Sequence, residues 1–326
     1  MNRGAAWNSL LAVSLLVSAL FGYLAVRNVN WAATWKALEH CDYWWLVPTL
    51  ALFTVWTLMR AIRWQWLFRA DARPPLGAVT KATILGYFFN NLLPARAGEA
   101  ARVVALRSYA GVRMAESAAT VVVERLYDVF GLLALLFVLY PWLPRVTWLR
   151  AAALVALAAI AFGLVLVGLA AFVDRRQSVH DRFGGIVGSL VQGLAAVRRP
   201  RQAALALGWT FASWLLLGIA FWVLSLGFHL GLSLLGGILV AIGVGLSFLI
   251  PAAPAGLGVF EAAGLAAAAA YGIPSSRAFA YVLVLHAVNL VPFLVAGAVI
   301  LVLSVPKRGL RPTVRDVTKP SGVESP

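Results

Sequence analysis

Arg96, Glu99 and Arg102 follow one another at intervals of three, after Pro94 and around Gly98. If a helix begins near Gly98, the three side chains share one side of its first turns. Free backbone N–H groups at such a start, reinforced by Arg96 and Arg102, suit a phosphate, and Glu99 would pair with one arginine and hold it. Asn90 and Asn91, on the arm leading in, offer polar groups to a headgroup or to backbone opened by the turn. The competing structural reading has the arginines snorkelling to an interface and the asparagines capping the break.

A second break runs Pro251-Ala-Ala-Pro-Ala-Gly-Leu-Gly-Val-Phe-Glu261, and Glu261 is the only acidic residue between Asp181 and Asp316. Gly256 and Gly258 expose backbone there. Either this segment and Glu261 face a substrate, or the glycines serve a close helix contact and Glu261 is partnered elsewhere. A third cluster, Glu124, Arg125 and Asp128, falls inside an apolar stretch at 117–140. Glu124 and Asp128 face one direction and Arg125 points about 100° away, so the three cannot all face lipid. They meet the bundle interior or an aqueous cavity, as a buried network with Arg102 or Lys81 or as groups that couple to or touch a substrate. Lys81 can equally sit at the cytoplasmic interface, and His286 and Asn289 read as hydrogen-bonded packing residues.

The elements that must carry these groups are apolar helices. Of 326 residues, 62% are hydrophobic and 12% charged, against about 45–50% and about 25% in an average globular chain. With 13 Trp, 17 Phe and 8 Tyr, this is the composition of a polytopic membrane protein with interfacial aromatics. The net charge of +15 would suggest nucleic acid in a soluble chain, but here the charges lie between apolar segments and topology accounts for them. The single cysteine, Cys41, excludes an intramolecular disulfide, and His40, His180, His229 and His286 form no ligand-spaced cluster, so no metal or other cofactor is expected.

Apolar segments lie near 7–26, 44–68, 76–93, 117–140, 150–173, 203–226, 236–250, 258–271 and 278–304. They show no alternation and must be helices. The first exceeds the 7–15 apolar residues of a signal peptide and is expected to be a retained anchor. The two Pro/Gly breaks align: Pro94-Ala-Arg-Ala-Gly98 matches Pro254-Ala-Gly-Leu-Gly258 at an offset of 160, and with a two-residue insertion Tyr109 meets Tyr271. The chain then divides into pseudo-repeat halves, about 1–140 and 150–304, within a single membrane domain over 1–304. The remainder, 305–326, reads as a basic, disordered cytoplasmic tail.

Basic residues test the topology, because cytoplasmic loops collect Lys and Arg. Eight simple crossings would leave 12 basic residues on one side and 13 on the other; if each break is the tip of a hairpin returning to its own side, the split becomes 18 to 5. The rich side holds Arg3, the 60–75 loop, Arg107, Arg113, the 174–202 loop and the tail, and the poor side holds Arg27, Lys36, Arg145, Arg150 and Arg277. The expected architecture is therefore all-α and polytopic, with about six full spans and two Pro/Gly-tipped hairpins in an inverted repeat. Both termini are expected in the cytoplasm and the chain in a bacterial-type inner membrane. Inverted repeats with broken helices mark transporters.

The same residues carry a family resemblance. Asn90-Asn-Leu-Leu-Pro-Ala-Arg-Ala-Gly-Glu-Ala-Ala-Arg102, then Glu124-Arg-Leu-Tyr-Asp128, then Pro254-Ala-Gly-Leu-Gly-Val-Phe-Glu261 resemble successive signatures of the lysylphosphatidylglycerol synthase transmembrane-region family, or flippase-like domain, over roughly residues 8 to 304. Ala255 departs from the pattern, standing where the family commonly has a second Gly. The resemblance implies the lipid-translocating half without synthase activity, because about 20 residues after Val305 are too few for a catalytic domain. The family does not fix the lipid; the residues favour a flippase or transporter of a phosphate-bearing phospholipid or polyprenyl-linked lipid, with Asn90, Arg96, Glu99, Arg102, Glu124, Arg125, Asp128, Gly256, Gly258 and Glu261 as the expected substrate-binding residues. Other readings are a non-catalytic partner or transporter in a lipid pathway such as that of hopanoids, and a membrane-embedded headgroup enzyme, for which no nucleophile or metal motif is present. The partners expected are a membrane lipid, anionic headgroups at the basic cytoplasmic face and a lipid-biosynthesis enzyme, with no nucleic acid.

Overall fold

The computed structural model describes residues 3–69, 72–94, 96–158, 161, 200–250 and 252–304. Among them every regular element is helical: α1 (Arg3–Val26), α2 (Trp31–Glu39), α3 (Leu46–Trp66), α4 (Leu76–Leu92), α5 (Gly98–Ala110), α6 (Met114–Leu139), α7 (Thr147–Ala158), α8 (Pro200–Gly227), α9 (Leu234–Ser247), α10 (Val259–Ala269) and α11 (Ser275–Ser304). Apolar helices without strands make this an all-α membrane protein. The later part of the 150–173 segment, the basic 174–202 loop with His180, and the 305–326 tail lie outside the described residues.

Helix length sorts the elements. Tyr43–Trp66, Ala204–Gly227 and Ser275–Ser304 are long and apolar enough to cross a bilayer, and α1 and α2 meet at a bend of 81°. The 26 residues of α6 are also long enough, though Glu124, Arg125 and Asp128 interrupt its apolar run. By contrast α5, α9 and α10 have 13, 14 and 11 residues. At about 1.5 Å per residue they fall short of a hydrocarbon core about 30 Å thick. These short helices are arms of hairpins: α4 packs along α5 and α9 along α10, each pair joined at one Pro/Gly break.

Close backbone approach makes the first hairpin. A Cβ on Gly98 would run into the Gly86 carbonyl oxygen and the Asn90 amide, so the two arms touch where α5 begins. Gly86 also leaves room for Arg102, whose Cβ and Cδ lie 3.0 and 3.1 Å from where a Cβ at 86 would stand. The second hairpin meets α1: the Ala253 amide donates to Ser18 Oγ at 2.7 Å, and Gly258 lies against the Ser18 and Gly22 backbone. The N-terminal helix thus packs against the second hairpin.

Contacts gather the loops at two ends. At one, Lys81 of α4 sits 5.8 Å from the Tyr109 ring of α5, and the Tyr109 hydroxyl is 3.1 Å from Ser304 Oγ at the end of α11. At the other, Ser276 accepts from the Asn30 amide at 2.9 Å, the Asp42 amide donates to the Gly227 carbonyl at 2.9 Å, and Arg277 donates to the Phe228 carbonyl at 3.2 Å. The first end holds Arg107 and Arg113; the second holds Arg27 and Arg277, as the hairpin topology groups them.

One part of that grouping is corrected. Arg60 and Arg63 were counted with a 60–75 loop, but both lie inside α3, 2% and 0% exposed, bonded to carboxylates of α6. Without them the basic bias is sixteen to five. A buried ionic pair strong enough to hold two arginines in the bundle replaces the loop.

Candidate functional site

The interior charges form one network. Arg60 and Arg63, one turn apart on α3, face Glu124 and Asp128, one turn apart on α6. Asp128 takes a two-pronged contact from Arg60, 2.5 Å to Oδ1 and 2.7 Å to Oδ2, and a bond from Arg63 at 2.6 Å. The indole of Trp214 on α8 donates to the same carboxylate at 3.3 Å. Glu124 receives Arg60 at 3.1 Å and Arg63 at 2.9 Å on Oε1, while Arg102 of α5 pairs with Oε2 at 3.0 Å. Arg63 also donates to Thr210 at 2.9 Å, and Arg60 to the Tyr87 hydroxyl at 3.2 Å. The Arg60 guanidinium lies 5.7 and 5.8 Å from the Trp56 and Trp214 rings, and that of Arg102 4.6 Å from Trp64. Glu99 pairs with Arg102 at 2.9 Å and with Arg125 at 2.8 Å, and Arg125 reaches Asp128 at 3.4 Å. A low-dielectric interior tolerates such charges only because each has opposite partners.

The network forms one wall of a cavity of about 420 Å³, lined by α3, α4, α6, α8, α9 and α11 and by both hairpin tips. Of the ten residues singled out in the sequence, Asn90, Arg96, Glu99, Arg125, Asp128 and Gly256 line it, and Arg102, Glu124, Gly258 and Glu261 stand behind the surface. Arg102 is 2% exposed and committed to carboxylates, so it is not available to a phosphate. Lys81 lies away from the network, against Tyr109. The backbone N–H groups expected to be free at the start of α5 are also occupied: Glu99 donates to the Arg96 carbonyl, and Ala100 and Ala101 donate to that of Ala97.

Arg96 is different. Among the described residues it is the cavity-lining arginine without a carboxylate within 4.0 Å, and its guanidinium lies 5.7 Å from the Phe248 ring of the second hairpin. Within the network five arginines (60, 63, 96, 102 and 125) face three carboxylates (99, 124 and 128), a surplus of two positive charges before the Glu261–His286 pair is counted. Two buried amide atoms beside it, Asn90 Oδ1 and Asn91 Nδ2, have no hydrogen-bond partner.

The aligned tips share a backbone feature: Arg96 has φ 57° and its counterpart Gly256 has φ 77°. Ala255, the departure from the family pattern, has φ 60°, a left-handed conformation that costs a non-glycine residue about 1–2 kcal/mol. Glu261 acts behind this turn. Its Oε2 accepts from the Gly258 amide at 2.7 Å, and its Oε1 lies 2.5 Å from His286 Nδ1. The imidazole stacks on Phe260 at 4.2 Å and places Nε2 3.2 Å from the Ala255 carbonyl oxygen. Ala255→Gly is expected to leave the melting temperature level or slightly higher, while Ala255→Val lowers it through a loss of about 1 kcal/mol or more of stability. A valine variant as stable as the glycine variant would show that the turn is not under this strain.

Arg60, Tyr87 and Trp214 line the cavity although sequence reasoning gave them no role, and His286 and Asn289, read as packing residues, line it too. For Arg60 a signal existed: it and Arg63 recur one turn apart inside the apolar run 44–68, and buried Glu124 and Asp128 required cations.

The family described as the lysylphosphatidylglycerol synthase TM region matches residues 11–297, a span that takes in both tips and every network charge. A UPF0104 membrane protein of Methanocaldococcus jannaschii is 24% identical over 222 residues, covering 65% of this chain and 92% of that relative.

Proposed function

From the premise that the chain belongs to the lysylphosphatidylglycerol synthase TM region family, we propose that it moves a phosphate-bearing lipid, a phospholipid or a polyprenyl-linked one, between leaflets of a cytoplasmic membrane. The protein acts as a transporter and not as an enzyme. Both termini face the cytoplasm, where the basic end meets anionic headgroups and a lipid-biosynthesis enzyme. The observation that carries this reading is Arg96, an unpaired guanidinium at a hairpin tip over a cavity whose ionic network has two surplus positive charges. An anion neutralises that surplus, and a guanidinium grips phosphate through two parallel N–H bonds. Asn90 and Asn91 line the same cavity and carry buried amide atoms without a hydrogen-bond partner. A cavity of about 420 Å³ suits a headgroup, with the chains left in the bilayer. The two tips, one from each half, would then act as the paired broken helices of an inverted repeat.

The test is lipid retention by purified protein in native mass spectrometry, with phosphatidylglycerol, undecaprenyl phosphate, diacylglycerol and a neutral hopanoid as probes. Wild-type protein should retain the two phosphate lipids over the neutral ones. Arg96→Gln should lose roughly tenfold or more in phosphate-lipid affinity, since one hydrogen bond to a charged group is worth about 1.5–3 kcal/mol. Arg96→Lys should fall between. Equal retention of neutral and phosphate lipids by all three proteins would sink the phosphate site and favour a hopanoid-type substrate.

A further inference from the structure

The second tip holds a pair of groups that phosphate binding does not use. His286 presents both ring nitrogens to acceptors: Nδ1 lies 2.5 Å from the Glu261 carboxylate and Nε2 3.2 Å from the Ala255 carbonyl oxygen. A neutral imidazole has one N–H and one lone pair, and a lone pair aimed at an oxygen is repulsive. With Glu261 ionised, both contacts form only on the imidazolium; with Glu261 protonated, its O–H donates to one nitrogen while the other nitrogen donates. Either way the pair carries one proton more than an ionised glutamate beside a neutral histidine.

We propose that Glu261 and His286 form a proton-binding site at the second hairpin tip, and that it couples entry of an anionic headgroup to a proton travelling in the same direction. This rests on the lipid-transport reading above. Two further observations join the proton to the cavity. His286 itself lines it. The pair also clasps the turn from both ends, through the Gly258 amide at 2.7 Å and the Ala255 carbonyl, and Ala255, left-handed at φ 60°, favours release. Loss of the proton leaves one ring nitrogen unable to donate, and that end of the clasp opens.

The other ionisable groups facing the ring across the cavity are Arg60 from α3, Tyr87 from α4, Arg96 and Glu99 from the first tip, and Arg125 and Asp128 from α6. Neither α8, α9 nor α10 adds one to the lining; the ionisable group of α10 is Glu261, behind the surface. The fourth neighbour of α11, α2, meets it at Ser276 and Phe279, well before His286. Apart from Arg96, the arginines and carboxylates in this set are tied to one another. Taking up one proton changes the pair from −1 to 0, which strengthens the cavity's attraction for an anion. By reciprocity the bound anion strengthens proton uptake. The bookkeeping is one proton taken from water on one side and released to water on the other for each headgroup carried.

The test has two arms. In detergent-solubilised wild-type protein labelled with ¹⁵N-histidine and ¹³C-glutamate, and with His286→Gln and Glu261→Gln used for assignment, the pair should hold its extra proton at neutral pH, seen as two protonated ring nitrogens or as one beside a protonated Glu261 carboxyl. Glu261→Gln should shift that titration. A single N–H on His286 beside an ionised Glu261 carboxylate from pH 5 to pH 8 in wild-type protein overturns the proposal. In liposomes containing wild-type protein, labelled phosphatidylglycerol and an internal pH dye, an imposed proton gradient should speed lipid movement down the gradient by roughly tenfold and carry protons with it. His286→Gln should remove that dependence. Lipid movement indifferent to the gradient in wild-type protein also overturns it. If no lipid moves under any gradient, the transport reading fails, and the ring-nitrogen titration by itself decides the proton site.

Discussion

Asp128→Asn should remove most of the folded protein from the membrane. Its carboxylate answers Arg60 twice and Arg63 once and is paired with Arg125, all within a region almost closed to solvent. An amide retains the shape but not the charge, and it offers N–H groups where three guanidinium groups already point. The local excess grows from two positive charges to three. Breaking one partner out of a buried ion pair costs about 3–5 kcal/mol, a large share of the about 5–15 kcal/mol that typically holds a domain together. Thermal melting followed by fluorescence-detected size exclusion should show a lower midpoint together with lower yield. Pairing Asp128→Asn with Arg63→Met, which removes a cation of similar volume, should recover part of the loss. An unchanged midpoint in the single variant would mean that water or lipid reaches this network.

Helix identity, both breaks and the residues at their tips were legible because each rests on local rules: apolar run length, proline and glycine punctuation, and the cost of charge in lipid. What was not legible depended on which residue answers which across the bundle. Arg60 and Arg63 read as the beginning of a basic loop because they precede Arg69 and Arg73, and the sequence does not mark where α3 stops. The roles of Arg96 and Arg102 could not be divided by spacing. They belong to one motif, but the chain is left-handed at Arg96 and helical at Arg102, so one guanidinium faces the cavity and the other turns back into Glu99 and Glu124. Glu261 was recognised as costly to leave unpaired. Its partner His286 lies 25 residues on, in another helix. The phosphate cradle expected from free N–H groups failed for a local reason: the tip's own carbonyls cap the first turn of α5.

Gly258→Ala should dismantle the second tip. The backbone there has φ 85° and ψ −53°, close to the strained γ-turn geometry that L-residues rarely enter. A Cβ would also be driven onto the Ser18 carbonyl oxygen and to 2.8 Å from the Gly22 amide nitrogen, both backbone atoms of α1. No side-chain rotation relieves a collision with helical backbone. The left-handed penalty of about 1–2 kcal/mol therefore adds to an overpacking cost of about 1–3 kcal/mol. Either α1 is pushed away, breaking the bond between Ser18 and the Ala253 amide, or the tip shifts and the Gly258 amide loses Glu261. Gly272→Ala is the control that separates these costs, because Gly272 has φ 72° with open space where a Cβ would go. It should lose only the conformational share. Melting midpoints and phosphate-lipid retention measured side by side should fall much further for Gly258→Ala than for Gly272→Ala. Equal losses would mean that α1 does not clamp the second tip, and that the two tips reach the cavity without its support.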